Sequence, residues 1–229
     1  MQVRRILRRL GASALGRLGA IAVVPTAILQ AAIAMPVAAA DPCPDIEVIF
    51  ARGTGAPVGL GWLGEAFVDS LRAKMGGRSV GAYGVDYPAG FNFDSSAPMG
   101  AANAAGRVQW MADNCPETKL VLGGNSQGAG VIDLITVDPQ PLGRFTPTPL
   151  PPGVADNVAA VAVFGNPLRE IRGGGPLPQM SSTYGAKSID LCAVGDPFCS
   201  NGFNLPAHFA YVENGMVEEA ANFVAGRLQ

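Results

Sequence analysis

The sequence predicts an α/β fold, a three-layer sandwich in which helices cover both faces of a central, mostly parallel five-stranded sheet. Short apolar runs alternate along the chain with stretches whose apolar residues recur at helical spacing, an order typical of parallel sheets. Most of these runs are apolar at successive positions, as expected for strands that are buried on both sides.

The elements are assigned in order from the periodicity of each segment. Residues 46–51 form a near-continuous apolar run typical of a buried strand, and residues 60–75 place Leu63, Phe67 and Leu71 at helical spacing. The later elements are strands over 80–87, 119–124, 158–164 and 188–191 and helices over 97–114, 127–137 and 216–228. Residues 138–153 are rich in proline, which excludes a helix or a central strand, so we expect a surface excursion within one domain.

Composition limits the class of protein and its partners. With 48% hydrophobic and 15% charged residues, the 229-residue chain has the composition of a folded domain and not of a disordered one. Five of its 16 basic residues and none of its acidic residues fall in the first 40 positions, so residues 41–229 carry a net charge of −7. An acidic domain lacks the basic face of a nucleic-acid binder. We therefore expect no nucleic-acid partner, and we expect a monomer.

The first 40 residues have the features of a secretory signal peptide. Arginines at positions 4, 5, 8 and 9 precede an apolar stretch over 18–34, and three alanines at 38–40 supply small residues for cleavage. The same stretch is about long enough for a membrane anchor, but a proline and a glutamine interrupt it and the small residues favour cleavage. We therefore expect a secreted protein with a signal peptide over 1–40 and a mature domain over 41–229.

Export gives the four cysteines a structural meaning. In an oxidising compartment Cys43, Cys115, Cys192 and Cys199 are expected to form two disulfides, for which three pairings exist. A bridge between Cys192 and Cys199 is easy to close because the two are seven positions apart, and it leaves Cys43 for Cys115. A metal site would need paired cysteines at CxxC spacing or several histidines, and the chain has neither, so we expect no metal and no cofactor.

One motif carries candidate chemistry. Residues 124–128, Gly-Asn-Ser-Gln-Gly, match the pattern G-x-S-x-G between a predicted strand and a predicted helix, the setting of a nucleophile elbow. The tight turn would expose the Ser126 hydroxyl and aim the backbone N–H of Gln127 toward a developing oxyanion. The alternative is that these residues form a plain strand-to-helix turn with no catalytic role. The sequence therefore predicts Ser126 as a nucleophile.

A serine nucleophile needs a general base, and His208 is the only histidine of the chain. Two aspartates precede it as candidates for the carboxylate that orients its ring. Asp196 is favoured because it lies in a loop bounded by two cysteines, whereas Asp190 falls inside the predicted last strand. The order Ser126, Asp196, His208 is that of α/β-hydrolases, so the predicted sandwich is of the α/β-hydrolase type.

These residues resemble the cutinase family, in particular its bacterial members. The motifs that carry the resemblance, which extends over residues 41–229, are Ala51-Arg52-Gly53-Thr54, Gly124-Asn125-Ser126-Gln127-Gly128-Ala129, Cys192-Ala193-Val194-Gly195-Asp196-Pro197-Phe198-Cys199 and His208. The resemblance implies hydrolysis of carboxylic esters, an oxyanion hole made by Thr54 and Gln127, and a bridge between Cys43 and Cys115. Two positions depart from the family pattern: Asn125 stands where many members carry a bulkier aromatic residue, and Thr54 where others have serine.

The sequence thus predicts a secreted serine esterase for short to medium acyl chains, with cutin-like polyesters or lipid esters as candidate substrates. The apolar residues around His208, namely Phe203, Leu205, Pro206 and Phe209, either line an acyl pocket or simply pack. The alternatives are a lipase or phospholipase with the same triad, and a secreted surface or binding protein with little turnover. The proline-rich segment 138–153 cannot form a helical lid, so we expect an open site.

Overall fold

The structure is a computed structural model that describes residues 43–229, and a five-stranded sheet lies at its centre. The expected signal peptide over 1–40 lies outside the described residues. In chain order the strands are β1 (Ile46–Ala51), β2 (Val80–Gly84), β3 (Lys119–Asn125), β4 (Val158–Phe164) and β5 (Ser188–Leu191). All neighbouring strands are parallel and the spatial order is β2-β1-β3-β4-β5, which confirms the predicted sheet. The carboxyl end of β3 therefore lies at the middle of one sheet edge.

Helices cover both faces of this sheet, as predicted. They are α1 (Gly61–Lys74), α2 (Phe93–Asn114), α3 (Gln127–Thr136), the single turn α4 (Leu177–Met180) and α5 (Met216–Arg227). Helices α1 and α5 pack on one face, and α2 and α3 pack on the other. None of the helices in residues 43–229 is long and apolar enough to cross a membrane.

Strand β1 shows why the strands lack a polar face. Val48 and Phe50 point into the apolar layer beneath α1 and α5, while Ile49 and Ala51 point into the layer beneath α2 and α3. Both sets are fully buried because helices cover both sides of the sheet. Burial of this kind supplies the main stabilising free energy of the sandwich.

Two predicted boundaries differ from the structure by more than one residue. Strand β2 ends at Gly84 and not at Tyr87, because the backbone N–H of Asp86 donates to Asn103 Oδ1 at 2.9 Å and not to a carbonyl oxygen of a neighbouring strand. Helix α2 begins at Phe93, four residues before its predicted start. Pro98, which lacks the N–H that a helix interior uses, lies in the second turn of α2 at an exposed position.

Candidate active site

Ser126 occupies the sharp turn between β3 and α3. Its backbone has φ 55° and ψ −121°, a strained conformation for a residue with a side chain, and the cost is on the order of 1–3 kcal/mol. A Cβ atom at Gly128 would lie 1.9 Å from the Ala51 carbonyl oxygen, so only glycine lets the helix start this close to β1. The motif is therefore a strand–turn–helix elbow, as its sequence setting predicted.

Ser126 and His208 line the same cavity, which has a volume of about 670 Å³. His208 lies late in the sequence, in a 3-10 turn over Leu205–Phe209, and its side chain is almost fully buried. Among the described residues no hydrogen bond joins the Ser126 hydroxyl to the imidazole. Such contacts are often long in sites without substrate and tighten when substrate binds.

The carboxylate of Asp196 orients the imidazole. Its Oδ2 atom lies 2.7 Å from His208 Nδ1, and both side chains are buried. The backbone N–H of Phe198 donates to Oδ1 at 2.8 Å, and the hydroxyl of Tyr211 donates to Oδ2 at 2.6 Å. A carboxylate at Nδ1 favours the tautomer that carries its proton there, which leaves Nε2 free to accept one.

The other candidate aspartate, Asp190, belongs to a separate buried cluster. Its carboxylate accepts from Arg169, from the Asn166 amide and from the backbone N–H of Leu177. The same amide donates to Asp133 at 2.8 Å. Burial raises the pKa of both aspartates, and for Asp133 the charge of Asp190 raises it further. Asp190 makes no hydrogen bond to His208, so the structure favours Asp196.

The two residues expected at the oxyanion hole lie side by side. The side-chain amide of Gln127 donates to Thr54 Oγ1 at 3.1 Å and to the Gly90 carbonyl at 2.8 Å. Because the Thr54 oxygen accepts this hydrogen bond, its own proton is available for a second acceptor in the cavity. The backbone N–H of Gln127 starts α3, where the helix dipole favours negative charge.

Two residues outside the predicted site hold this arrangement. Ser96 is 2% exposed and its hydroxyl donates to Gln127 Oε1 at 2.7 Å. Because the amide oxygen is held by Ser96, the NH₂ group is the end of the amide that faces Thr54. Arg52 is buried and donates to main-chain carbonyl oxygens of Ala56, Val85 and Tyr87, at 3.0, 3.3 and 2.7 Å. The arginine therefore fastens the segment that carries Thr54.

We predict that Ser96→Ala lowers kcat about tenfold and leaves KM nearly unchanged, because one hydrogen bond that orients the Gln127 amide is lost and the Thr54 proton is no longer directed. Steady-state kinetics on a soluble p-nitrophenyl ester measure the effect. Ser95→Ala is the matched control, since Ser95 is exposed and its hydroxyl bonds only the Asn92 carbonyl. Equal kcat values in the Ser96 and Ser95 variants would show that Ser96 does not orient the Gln127 amide for catalysis.

Asn125, which departs from the resemblance, sits below the loop that carries Thr54. A Cβ atom at Gly53 would lie 2.5 Å from Asn125 Oδ1. The two segments of the chain therefore approach so closely that Gly53 has no space for a side chain. Asn125 also lines the cavity and is 8% exposed. A bulkier residue at this position would need the cavity wall to move.

The remaining cavity wall is largely apolar. Five exposed aromatic side chains line its mouth and are named here the apolar rim: Trp62, Phe91, Phe93, Phe198 and Phe209. Of the residues expected around His208, Phe209 lines the cavity, but Phe203 is 99% and Leu205 51% exposed and neither lines it. These two do not form the pocket: Phe203 precedes the turn that carries His208, Leu205 begins it, and both side chains face solvent.

Segment 138–153 contributes to the site in a way that the sequence did not indicate. It contains an isolated antiparallel bridge between Leu142 and Phe145, ends in a short 3-10 turn, Pro152–Val154, and places Arg144 and Phe145 in the cavity wall. The Arg144 side chain pairs with Asp94 of α2 at 2.6 Å. The segment is therefore a part of the cavity wall and not merely a surface excursion.

The structure contains both expected disulfides. Cys43–Cys115 joins the start of the described chain to the end of α2, and Cys192–Cys199 closes the loop that carries Asp196. Within residues 43–229 no group of three or more His, Cys, Asp or Glu side chains is arranged to hold a metal.

Comparison with known proteins shows extensive similarity. A family model, described as Cutinase, matches residues 42–228. Carboxylesterase Culp1 of Mycobacterium tuberculosis is 46% identical over 214 residues, which cover 92% of this chain and 94% of that protein. Phospholipase Culp4 of the same organism is 50% identical over 203 residues, covering 89% and 86% respectively. A solved structure of Trichoderma reesei cutinase in complex with a C11Y4 phosphonate inhibitor has a TM-score of 0.65 and 32% identity, covering 82% of this chain and 78% of that one.

Proposed function

The chain belongs to the cutinase family, and we propose that it is a secreted serine esterase that hydrolyses carboxylic esters through an acyl-enzyme. One observation carries the proposal. The strained elbow presents Ser126 in a cavity that also contains the chain's only histidine, and a buried Asp196 holds that histidine at Nδ1. This is the arrangement of groups that nucleophilic acyl transfer requires.

In the first half of the reaction Ser126 Oγ attacks the ester carbonyl carbon while His208 Nε2 takes its proton. The negative charge on the carbonyl oxygen is stabilised by the backbone N–H of Gln127 and by the hydroxyl and N–H of Thr54. Collapse of the tetrahedral intermediate breaks the bond to the alkoxy group, and His208 returns the proton to the leaving alcohol. Water then repeats the sequence on the acyl-enzyme and releases the acid.

The cavity wall supports a neutral, apolar ester as the substrate. The apolar rim and the buried Leu134 and Leu168 offer contacts to an alkyl chain. Arg52 also lines the cavity, but it is buried and its guanidinium donates to main-chain carbonyl oxygens. Arg144 and Asp94 are present as a pair, so their charges largely cancel. We propose short to medium acyl chains, with cutin-like polyesters or lipid esters as candidate natural substrates.

Export supports the same function. Two disulfides stabilise the domain, and disulfides persist in oxidising compartments. Together with the signal-peptide features of residues 1–40, they support a protein that acts outside the cell on esters it meets there.

A phospholipase is the second candidate function, because the relative at 50% identity bears that name. The triad and cavity fit either activity, since the attacked bond is a carboxylic ester in both. A binding protein with little turnover is disfavoured, because a strained Ser126 elbow beside a buried His208–Asp196 pair has no structural purpose in such a protein.

We expect a smooth saturating rate curve for p-nitrophenyl butyrate as its concentration crosses the solubility limit, because segment 138–153 forms wall and not a helical lid. Rates on emulsified tributyrin and on phosphatidylcholine vesicles, measured with the same protein, separate esterase from lipase and phospholipase. A sharp increase only above the solubility limit would show a lid. Turnover of phosphatidylcholine alone would establish the phospholipase, and no turnover of any ester would refute the proposed function.

A further inference from the structure

We propose that Tyr211 is a positioning residue whose phenol tunes the hydrogen bond between Asp196 and His208. The inference rests on the proposed function, but its main test does not depend on turnover. Tyr211 does not line the cavity and its side chain is fully buried. It therefore acts on the reaction only through the residues that it contacts.

The Tyr211 phenol and the His208 imidazole contact the same carboxylate oxygen of Asp196. Asp196 Oδ2 accepts from the Tyr211 hydroxyl at 2.6 Å and lies 2.7 Å from His208 Nδ1. The hydroxyl oxygen of Tyr211 accepts in turn from the backbone N–H of Ala193 at 3.1 Å. A phenol has one proton to donate, and the backbone N–H on its oxygen directs that proton to the carboxylate.

Packing fixes the ring in this position. Phe164 meets the Tyr211 ring edge-on, with 5.9 Å between centroids and 76° between planes. The carbonyl of Tyr211 accepts from the backbone N–H of Val217 at 3.1 Å, which ties it to the start of α5. The phenol therefore holds the rotation of the carboxylate, so that Oδ2 continues to face the imidazole.

The phenol stays a neutral donor throughout the working pH range. Burial first, and then its hydrogen bond to Asp196, raise the pKa of Tyr211 well above that of a free tyrosine. The ionisable groups that act on it are Asp196 from the disulfide-bounded loop and Asp190 from β5, and the His208 ring lies edge-on to its own ring at 6.4 Å between centroids. Asp190 is itself paired with Arg169 and keeps that pairing when the phenol is changed.

A donor on Oδ2 draws negative charge away from the atom that stabilises the imidazolium. Removing the donor concentrates charge on Oδ2, so the protonated imidazole becomes more stable and gives up its proton only at higher pH. Tyr211→Phe should therefore move the titration of His208 to higher pH, and the acid limb of activity should move with it. A residue that merely packs would move neither.

The chain's single histidine makes this shift directly observable by proton NMR of the imidazole. In Tyr211→Phe we expect the half-titration point of His208 to rise by about 0.5–1 pH unit. The acid limb of kcat/KM on p-nitrophenyl butyrate should rise by the same amount, and kcat should fall about tenfold because the carboxylate is less firmly oriented. The NMR result needs no substrate, so a failed esterase assay and a failed role for Tyr211 are separate outcomes.

Tyr184→Phe is the matched control. Tyr184 is also buried, its hydroxyl makes no hydrogen bond within the described residues, and it does not line the cavity. In Tyr184→Phe we expect neither the His208 titration nor the pH profile of kcat/KM to shift. Replacing Tyr211 by 3-fluorotyrosine keeps the hydroxyl contacts while making the phenol a stronger donor, and should move the His208 titration to lower pH.

The two Tyr211 changes therefore predict shifts of opposite sign. If Tyr211→Phe does not fold, the fluorotyrosine protein alone decides the question. An unchanged His208 titration in a folded Tyr211 variant, or an equal shift in Tyr184→Phe, would overturn the proposal.

Discussion

Ser126→Ala is expected to lower ester turnover by roughly 10⁵–10⁶-fold, because the nucleophile is removed and only the oxyanion hole and substrate binding remain. Alanine tolerates the strained elbow about as well as serine does, so the fold should be retained. The measurement is kcat/KM on p-nitrophenyl butyrate together with labelling by a serine-reactive phosphonate. Circular dichroism and thermal unfolding check that the variant is folded.

The matched control for this variant is Ser95→Ala, which removes an exposed serine hydroxyl from the first turn of α2. It should keep full turnover and full labelling. Mass spectrometry of the labelled wild-type protein should place the phosphonate on the peptide that contains Ser126. Labelling that persists in Ser126→Ala would assign the nucleophile to another residue.

The periodicity of the sequence was sufficient to predict the sheet and its layers. Strands 158–164 and 188–191 were placed with the bounds that the structure gives. The start of α2 was missed because its first three residues, 93–95, are exposed, so no apolar repeat decides whether residue 93 or residue 97 begins the helix. Such a choice depends on which side of the helix faces the core, which local sequence does not state.

The candidate site was predictable where chemistry restricts the residue type. Only one histidine was available, and the elbow needs small residues at fixed positions around Ser126. Ser96 and Tyr211 were missed because each acts across a long separation in sequence: Ser96 lies 31 residues from Gln127, and Tyr211 lies 15 residues from Asp196. A hydroxyl that is paired through tertiary packing has no sequence signature of its own.

The disulfide-bounded loop explains why the favoured aspartate was recognisable. Cys192–Cys199 confines the backbone around Asp196. The Phe198 N–H donates to the Asp196 carboxylate within this loop, and the Ser200 hydroxyl, one residue beyond it, donates to the Asp196 carbonyl oxygen. A carboxylate buried by so short a segment needs a fixed backbone, because an unsatisfied charge there would be costly. Asp190, by contrast, is satisfied by Arg169 and Asn166 and is not required to face the cavity.

Asp196→Asn is expected to lower kcat about 10⁴-fold with little change in KM, and the geometry gives the reason. All three neighbours of the carboxylate are donors: Phe198 at Oδ1, and His208 and Tyr211 at Oδ2. An asparagine must therefore point its own NH₂ group at a donor. If the NH₂ faces His208, the imidazole has to accept at Nδ1, and Nε2 then carries the proton that it should take from Ser126.

Asp190→Asn is the comparison that separates the two aspartates of this region. It alters the buried cluster of Asn166 and Arg169 but no hydrogen bond of His208, so it should lower thermal stability while keeping most of the turnover. The readouts are kcat on p-nitrophenyl butyrate, the rate of phosphonate labelling at Ser126, and the unfolding temperature. If Asp190→Asn lost as much turnover as Asp196→Asn, or if Asp196→Asn stayed within tenfold of the wild type, Asp196 would not be the carboxylate that orients the base.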